Sequence, residues 1–207
     1  MWHSFKKLLS GFIIIDENIF DSANLFFKEH KISKGDFFVR EGNVCNQLAY
    51  VYQGILRSFY INEKGEDITY CFCADNDMET SFKSFLLGEP SAISIQALED
   101  TSLLVIDKND LQHLFNTHLF WSEIGRLLTE QEYLKMELHA SAIKNESAKE
   151  KYIRLKQERP MLLQKVPLHY IASYLGISNR HLTRLRKEIL IEKKYKRRTF
   201  VLESFLA

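Results

Sequence analysis

The stretch PLHYIASYLGISNRHLTRLRKEIL, Pro167 to Leu190, decides the fold of the C-terminal part of the chain. It predicts a helix-turn-helix, which requires a small residue where two helices touch and a glycine at the turn between them. Ala172 is the small residue, and Gly176 follows where the chain needs a left-handed backbone. Ser178 is a natural N-cap for the second helix. Apolar residues at helical spacing supply the packed face: Ile171, Leu175, Ile177, Leu182 and Leu185.

The residues of the second helix outside that packed face carry the chemistry of DNA recognition. Arginine can pair with guanine through two hydrogen bonds, asparagine can pair with adenine, and threonine can touch a thymine methyl group or a phosphate. A solvated helix face would explain any single arginine, but the whole set on this pattern predicts DNA binding. The candidate DNA-binding residues are Ser178, Asn179, Arg180, Thr183, Arg184, Arg186 and Lys187.

Charge is distributed unevenly along the 207 residues. Residues 1–143 carry a net charge of −9 and residues 144–207 a net charge of +10, although the whole chain is only +1. This asymmetry is typical of a chain whose C-terminal part meets a polyanion, and a solvated lysine-rich tail is the alternative. Candidate contacts to the DNA backbone are His169, Lys193, Lys194, Lys196, Arg197 and Arg198.

Short β-rich segments separated by turn residues fill the chain from Lys31 to Ile106. Their spacing predicts a small antiparallel sandwich or β-roll, so the expected fold class is α+β. A short helical lead-in is expected before them, from about Asp16 to Lys28. The predicted strands span residues 37–40, 48–53, 55–61, 67–72, 93–98 and 102–106. The glycines expected at turns with positive φ are Gly35, Gly42, Gly54 and Gly65.

Helical spacing replaces this pattern after the last strand. We expect a short helix from Asp107 to Phe115, with Asp107 as its N-cap, and a longer helix from about Leu119 to Lys144. The longer helix has a heptad seam, which predicts a parallel dimerisation helix; packing on its own β-domain is the alternative. The seam consists of Phe120, Ile124, Leu127, Gln131, Leu134, Leu138 and Ser141.

A further helix is expected from Asn145 to Arg159, stopped by Pro160. The sequence therefore predicts three parts: a β-roll sensor domain with an N-terminal helix at 1–118, a dimerisation helix at 119–144, and a helix-turn-helix domain at 145–207.

Several other function classes find no support in the sequence. No histidine lies between His30 and His113, so the β-rich part cannot supply imidazole ligands to a metal. Motifs of hydrolases, P-loop proteins and zinc proteases are missing. We therefore expect no enzyme activity, no metal and no cofactor.

The apolar run LLSGFIII, Leu8 to Ile15, is too short to span a membrane. Asp16 and Glu17 follow it where a signal peptide would have a small-residue cleavage site. Three cysteines are too few for a disulfide framework, so we expect a cytoplasmic protein with no membrane association.

Between about residues 20 and 190, the chain resembles the bacterial Crp/Fnr family of transcription regulators, named for the cyclic-AMP receptor protein and the fumarate–nitrate regulator. The resemblance implies a cyclic-nucleotide-binding-like β-roll, a long dimer helix, and a winged-helix-like domain that binds palindromic DNA as a homodimer. RNA polymerase and a small-molecule effector are further candidate partners. The segments that carry it are KISKGDFFVREG (31–42), YVYQGILRSFY (50–60), ALEDTSLLVIDKNDLQHL (97–114), SAKEKYIRL (147–155) and VPLHYIASYLGISNRHLTRLRKE (166–188).

The effector pocket departs from the family pattern. Met78-Glu79 lies where the cyclic-nucleotide members carry a Gly-Glu pair, and Pro90 replaces the arginine that neutralises the phosphate. A buried phosphate without a charged partner is strongly disfavoured, so we expect no tight binding of cyclic nucleotides. Glu79 and Ser91 remain the candidate residues of a pocket for another effector.

Two further departures concern the cysteines and the C-terminus. The family's iron–sulfur sensors use four cysteines, whereas this chain has Cys45, Cys71 and Cys73. The last two share one strand face and form either a redox or metal pair or, as we favour, part of the core. Residues 191–207 contain no Gly, Asn or Pro to make the tight hairpin of a wing.

The expected function is a sequence-specific DNA-binding regulator that cyclic AMP does not control. The alternative is a cyclic-nucleotide or other small-ligand-binding regulatory module that acts without DNA.

Overall fold

The computed structural model describes the backbone of residues 1–206 and the side chains of residues 1–138, 140–141 and 145–192. The chain divides into two compact units, Met1–Ala140 and Ser141–Ala207. The described strands all lie in the first unit: β1 (Phe27–Ile32), β2 (Phe37–Val39), β3 (Gln47–Gln53), β4 (Leu56–Ile61), β5 (Asp67–Cys73), β6 (Met78–Glu79), β7 (Ser94–Ala97) and β8 (Thr101–Asp107).

The strands form two four-stranded sheets within the described residues, in the orders β1-β8-β3-β6 and β2-β7-β4-β5. Every pairing is antiparallel. The predicted α+β class with an antiparallel β-roll is therefore confirmed. The sequence reasoning missed β1 and β6; β1 begins at Phe27, inside the expected helical lead-in.

The strand β8 separates two hydrophobic clusters. Leu103 and Val105 belong to an inner cluster between the sheets. Leu104 and Ile106 belong to a second cluster on the opposite side of β8, which we call the outer cluster. All four side chains are at most 3% exposed. Burial on both faces explains why this strand is a continuous apolar run rather than an alternating one.

All five α-helices described before residue 146 contribute buried side chains to the outer cluster. They are α1 (Trp2–Leu9), α2 (Glu17–Ser22), α3 (Phe82–Leu87), α4 (Lys108–Thr117) and α5 (Leu119–Asn145). On α1, which the sequence reasoning missed, Phe5 and Leu9 are buried against Phe20 and Trp121. Asp107 precedes α4 as predicted, but its side chain makes no cap hydrogen bond. Its carboxylate accepts hydrogen bonds from Gln47 and Lys28 instead.

The heptad seam on α5 has two different environments. Ile124 is buried and Phe120 packs against the outer cluster, so the N-terminal half of the helix lies on its own β-roll. Farther along, Leu134 is 51% exposed and Leu138 is 71% exposed. Packing on its own β-domain, the alternative from the sequence, therefore holds for the N-terminal half of the helix, whereas the C-terminal half leaves its apolar seam exposed in the single chain.

Four helices are described in the second unit: α6 (Ala148–Glu158), α7 (Pro160–Lys165), α8 (Leu168–Leu175) and α9 (Asn179–Leu206). Ser147 and Glu150 form a capping box that starts α6. Pro160 was expected only to stop a helix, but it is also the first residue of α7, where a missing N–H costs nothing. No wing strand follows α9 among the described residues, which extend to Leu206.

The predicted turn glycines all have positive φ: Gly35, Gly42, Gly54 and Gly65. At Gly54, a Cβ would also lie 2.4 Å from the hydroxyl oxygen of Thr101. Any side chain is therefore excluded there by contact as well as by conformation. Across the described residues, no helix combines the length and apolar character needed to cross a bilayer.

Candidate nucleic-acid interface and effector site

Gly176 makes the turn of the helix-turn-helix. Its φ is +70° and its ψ is 31°, the left-handed conformation expected from the sequence. The N–H of Ile177 then donates to the carbonyl of Ala172 at 3.0 Å, which closes the end of α8. Ser178 caps α9, because its Oγ accepts a hydrogen bond from the N–H of His181 at 3.2 Å.

The packed face of this motif is formed as predicted. Ala172 is 2% exposed, so the small side chain lies where the helices meet. Ile177 is half-buried rather than buried. The other predicted core positions are all buried: Ile171, Leu175, Leu182 and Leu185. This packing fixes the rotation of α9 about its own axis, and hence which side chains face solvent.

The basic side chains of α9 form a stripe opposite the packed face. At 3.6 residues per turn, Arg180, Arg184 and Lys187 lie on the side of the helix away from Leu182 and Leu185. All the predicted reading positions are exposed: Asn179, Arg180, Thr183, Arg184, Arg186 and Lys187. We call Arg180, Arg184 and Lys187 the basic stripe.

The stripe keeps most of its charge uncompensated. Arg184 lies 3.7 Å from Glu188, an exposed pair that adds little stability. Among the described side chains, neither Arg180 nor Lys187 has a carboxylate within 4 Å. By contrast, Lys149 on α6 is paired with Glu192 at 2.6 Å. Within the described part of the second unit, the exposed side of α9 therefore carries positive charge that no nearby carboxylate compensates.

The predicted backbone contacts are only partly described. His169 is exposed at the start of α8, with its ring 3.9 Å from that of Tyr170. The remaining candidates have side chains outside the described residues: Lys193, Lys194, Lys196, Arg197 and Arg198.

Glu79, the first candidate of the effector pocket, lies buried in the interior of the β-roll. Its Oε2 accepts hydrogen bonds from Cys73 Sγ at 2.8 Å and from Ser58 Oγ at 3.1 Å. Burial raises the pKa of Glu79 to about 7, although those two hydrogen bonds oppose the rise. A hydrogen bond with Cys71, together with burial, raises the pKa of the Cys73 thiol well above its ordinary value.

Ser91, the second candidate, makes separate contacts. Its hydroxyl donates to the carbonyl of Ile93 at 2.7 Å and lies 2.7 Å from the hydroxyl of Ser81. Pro90 forms an isolated antiparallel bridge with Val44, so it is held by backbone pairing. No described hydrogen bond joins Glu79 to Ser91.

A buried arginine near this site was missed by the sequence reasoning. Arg57 is 1% exposed and donates to the carboxylate of Asp67 at 2.6 Å, and its guanidinium lies 3.9 Å from the ring centre of Phe59. It precedes Ser58, which faces Glu79. Since neighbouring side chains on a strand point to opposite faces, Arg57 cannot take the place of the missing phosphate-binding arginine.

The cysteines behave mainly as core residues, as we favoured. Cys45 and Cys73 are buried, Cys71 is half-buried, and all three are free thiols. Among the described residues, no group of three or more His, Cys, Asp or Glu side chains is arranged to hold a metal ion.

Comparisons with known proteins agree with this architecture. The cyclic nucleotide-binding domain family matches residues 29–118. An anaerobic regulatory protein of Bacillus subtilis (strain 168) is 24% identical over 99 residues, which cover 48% of this chain and 42% of that protein. The match therefore spans less than half the length of that relative.

Solved structures share the fold at low sequence identity. FixK2 from Bradyrhizobium japonicum matches with a TM-score of 0.69 and 16% identity, covering 81% of this chain and 86% of that chain. A Thermus thermophilus catabolite activator protein matches with a TM-score of 0.53 and 20% identity, covering 90% and 87%. A protein from Eubacterium rectale with the Crp/Fnr family in its name matches with a TM-score of 0.66 and 17% identity, covering 86% and 85%.

The fold is thus that of a β-roll followed by helices, in the class of the cyclic nucleotide-binding domains. Residues 29–118 match the model of that domain family, and the resemblance of the chain to the Crp/Fnr transcription regulators is confirmed. The names of these relatives are those of regulatory proteins.

Proposed function

We propose that this chain is a cytoplasmic, sequence-specific transcription regulator that binds a palindromic site on double-stranded DNA as a homodimer. The observation that carries the proposal is the basic stripe, which is exposed along α9 opposite a buried face. A rigid helix that presents a row of exposed cations matches what the major groove of DNA requires.

Base contacts are expected from the N-terminal half of α9, because this end of the second helix enters the major groove in helix-turn-helix proteins. Arg180 and Arg184 can each direct a guanidinium to guanine, and Asn179 can direct its amide to adenine. The hydroxyl of Thr183 donates to the carbonyl of Asn179 at 2.9 Å, so its methyl group is left for a thymine.

Contacts to phosphate are expected around the base-reading residues. Such contacts position the protein but carry no sequence information. Lys187 ends the basic stripe, and Arg186 lies on its flank. The full set proposed for this role is His169, Ser178, Arg186, Lys187, Lys193, Lys194, Lys196, Arg197 and Arg198.

Dimerisation is proposed through the C-terminal half of α5. Large apolar side chains there are exposed in the single chain, namely Tyr133, Leu134, Met136 and Leu138. Leu134 and Leu138 belong to the seven-residue seam, and exposed apolar surface of this kind marks an interface. A homodimer would supply the second recognition helix that a palindromic site needs. RNA polymerase and an unidentified effector are the other proposed partners.

Control by cyclic AMP is not proposed, for a reason of charge. Pro90 provides no cation for a phosphate, and Arg57 is bound to Asp67. Glu79 matches the glutamate that the cyclic-nucleotide members also carry, so it adds no cation to the site. An effector for this site should lack an anionic group where cyclic nucleotides carry their phosphate.

Binding to a random-sequence duplex at low salt tests this proposal against a module that acts without DNA. Fluorescence anisotropy should show an affinity that falls steeply as salt is added, because the release of counterions from DNA drives binding. The Arg180→Glu/Arg184→Glu variant should lose this binding. Lys31→Glu/Lys64→Glu, exposed lysines of the first unit with the same change in net charge, should keep it. No binding by the wild type would favour the module without DNA, and equal binding by both variants would show that the basic stripe is not the DNA-binding surface.

A further inference from the structure

The apolar run at Leu8–Ile15 is not explained by DNA binding. It ends α1 and continues into a loop that returns along that helix. Ile13 and Ile15 pack against the outer cluster, but Phe12 is 40% exposed and Ile14 is 94% exposed. Two large apolar side chains therefore face water beside each other, on a segment that precedes the matched cyclic nucleotide-binding domain.

The loop and α1 border a shallow groove of about 650 Å³ that is largely open to solvent. A ligand in this groove would be covered by the protein on one side only. His3, Lys7 and Ser10 line it from the helix, and Phe12 and Ile14 line it from the loop. One wall is thus polar and basic, and the other is apolar.

The charges of the groove favour an anion. Lys6 is paired with Glu17, so these two lining charges compensate each other. His3 and Lys7 are exposed and lie four residues apart, which places them side by side on one helix face. In the part of the chain that the structure describes, neither has a carboxylate within 4 Å.

We propose that this groove binds a single-chain amphiphile with a carboxylate head, of the chemical class of a medium-chain fatty acid. The carboxylate pairs with Lys7 and His3, and the hydrocarbon tail covers Phe12 and Ile14. Both halves of the ligand are needed, because an exposed ion pair alone is worth little and the apolar patch alone gives no preference for an anion. The site is independent of the DNA-binding proposal.

Isothermal titration calorimetry of the full chain with decanoate, below its micelle-forming concentration, tests the site. We expect one site per chain, with no binding of butyrate, which lacks the tail, or of decyltrimethylammonium, which reverses the head charge. Lys7→Glu and Ile14→Asp should each weaken decanoate binding at least tenfold. Lys64→Glu, the same charge change on an exposed turn of the same unit, should leave it unchanged.

Thermal unfolding of each variant checks that it is folded. Ile14 is almost fully exposed, so Ile14→Asp removes no core contact, and equal thermal midpoints in the absence of decanoate would show that all variants are folded. Equal decanoate affinity of the wild type and both groove variants would overturn the proposal. So would equal binding of the cationic amphiphile, or binding to anionic phospholipid vesicles without binding to free decanoate.

Discussion

Cys73 donates a hydrogen bond from Sγ to Oε2 of Glu79 across 2.8 Å in the interior of the β-roll. The donor lies on β5 and the acceptor on β6, and these strands belong to different sheets. The contact therefore joins the two sheets through a carboxyl that has little access to water. Its protonation state should affect the stability of the fold.

The variant Glu79→Gln should remove a pH dependence of the free energy of unfolding. In the folded protein the pKa of Glu79 is raised to about 7, above its ordinary value of 4.5. The unfolded chain therefore ionises first, and the stability that the protonated carboxyl confers is present below about pH 4.5 and lost as the pH rises through 7. The loss approaches about 3 kcal/mol, at about 1.4 kcal/mol per pKa unit.

Urea unfolding at several values between pH 5 and pH 8 measures this effect. The wild type should lose stability across that range, and Glu79→Gln should lose much less. Glu63→Gln, an exposed residue between β4 and β5, serves as the control and should follow the wild type. A variant Glu79→Gln with the wild-type pH slope would show that this carboxyl does not titrate as described.

Cyclic AMP at millimolar concentration should not raise the thermal midpoint of the protein. A ligand that binds only the folded state must stabilise it by mass action, by about 2.7 kcal/mol at one hundred times its Kd. Pro90 offers no charge to the phosphate, so no such stabilisation is expected. Differential scanning fluorimetry with and without the nucleotide gives the answer, and a clear upward shift would refute this account of the pocket.

Arg184→Ala should weaken the binding free energy for a specific DNA site by roughly 1–3 kcal/mol. It should also relax the base preference at one base pair of that site. The side chain is exposed, and its pairing with Glu188 is weak, so the fold should not change. Lys187→Ala, at the next position of the stripe, should weaken specific and random duplexes alike. Competition titrations with single-base variants of the site separate the two effects. If Arg184→Ala kept full discrimination, this residue would not be a base reader.

Replacing Leu134 and Leu138 by aspartate should produce a folded monomer. Both side chains are exposed in the single chain, so their loss removes no core packing, whereas facing aspartates would meet their symmetry mates in a dimer. Light scattering during size-exclusion chromatography should give a dimer mass for the wild type and 24.4 kDa for the variant. A wild-type mass of 24.4 kDa at micromolar concentration would argue against α5 as the interface.

Much of the architecture could be predicted because local chemistry decides it. Gly176 and Ser178 determine where α8 ends and α9 begins, and the four-residue and three-residue steps between apolar positions determine which face of α9 is buried. Gly54 and Gly65 mark the turns that separate β3, β4 and β5. Each of these signals acts within a few residues, so the sequence displays it directly.

The remaining features depend on contacts between distant residues. Asp107 has the residue type of an N-cap, but its carboxylate accepts a hydrogen bond from Gln47, its partner on the neighbouring strand β3. The edge strand β6 is two residues long and shows no period. Arg57 is buried against Asp67 and the ring of Phe59, and its residue type gives no local sign of that burial. No local pattern could show that the two ends of the heptad seam have different surroundings.

Selection of bound duplexes from a random DNA pool tests the central claim most directly. The account predicts an inverted repeat whose half-sites lie about one helical turn apart, roughly 34–36 Å from centre to centre. Each half-site should be lost when Arg180 and Arg184 are replaced by alanine. A pool that retains no common sequence, or a single half-site without symmetry, would contradict the proposal of a dimeric, sequence-specific regulator.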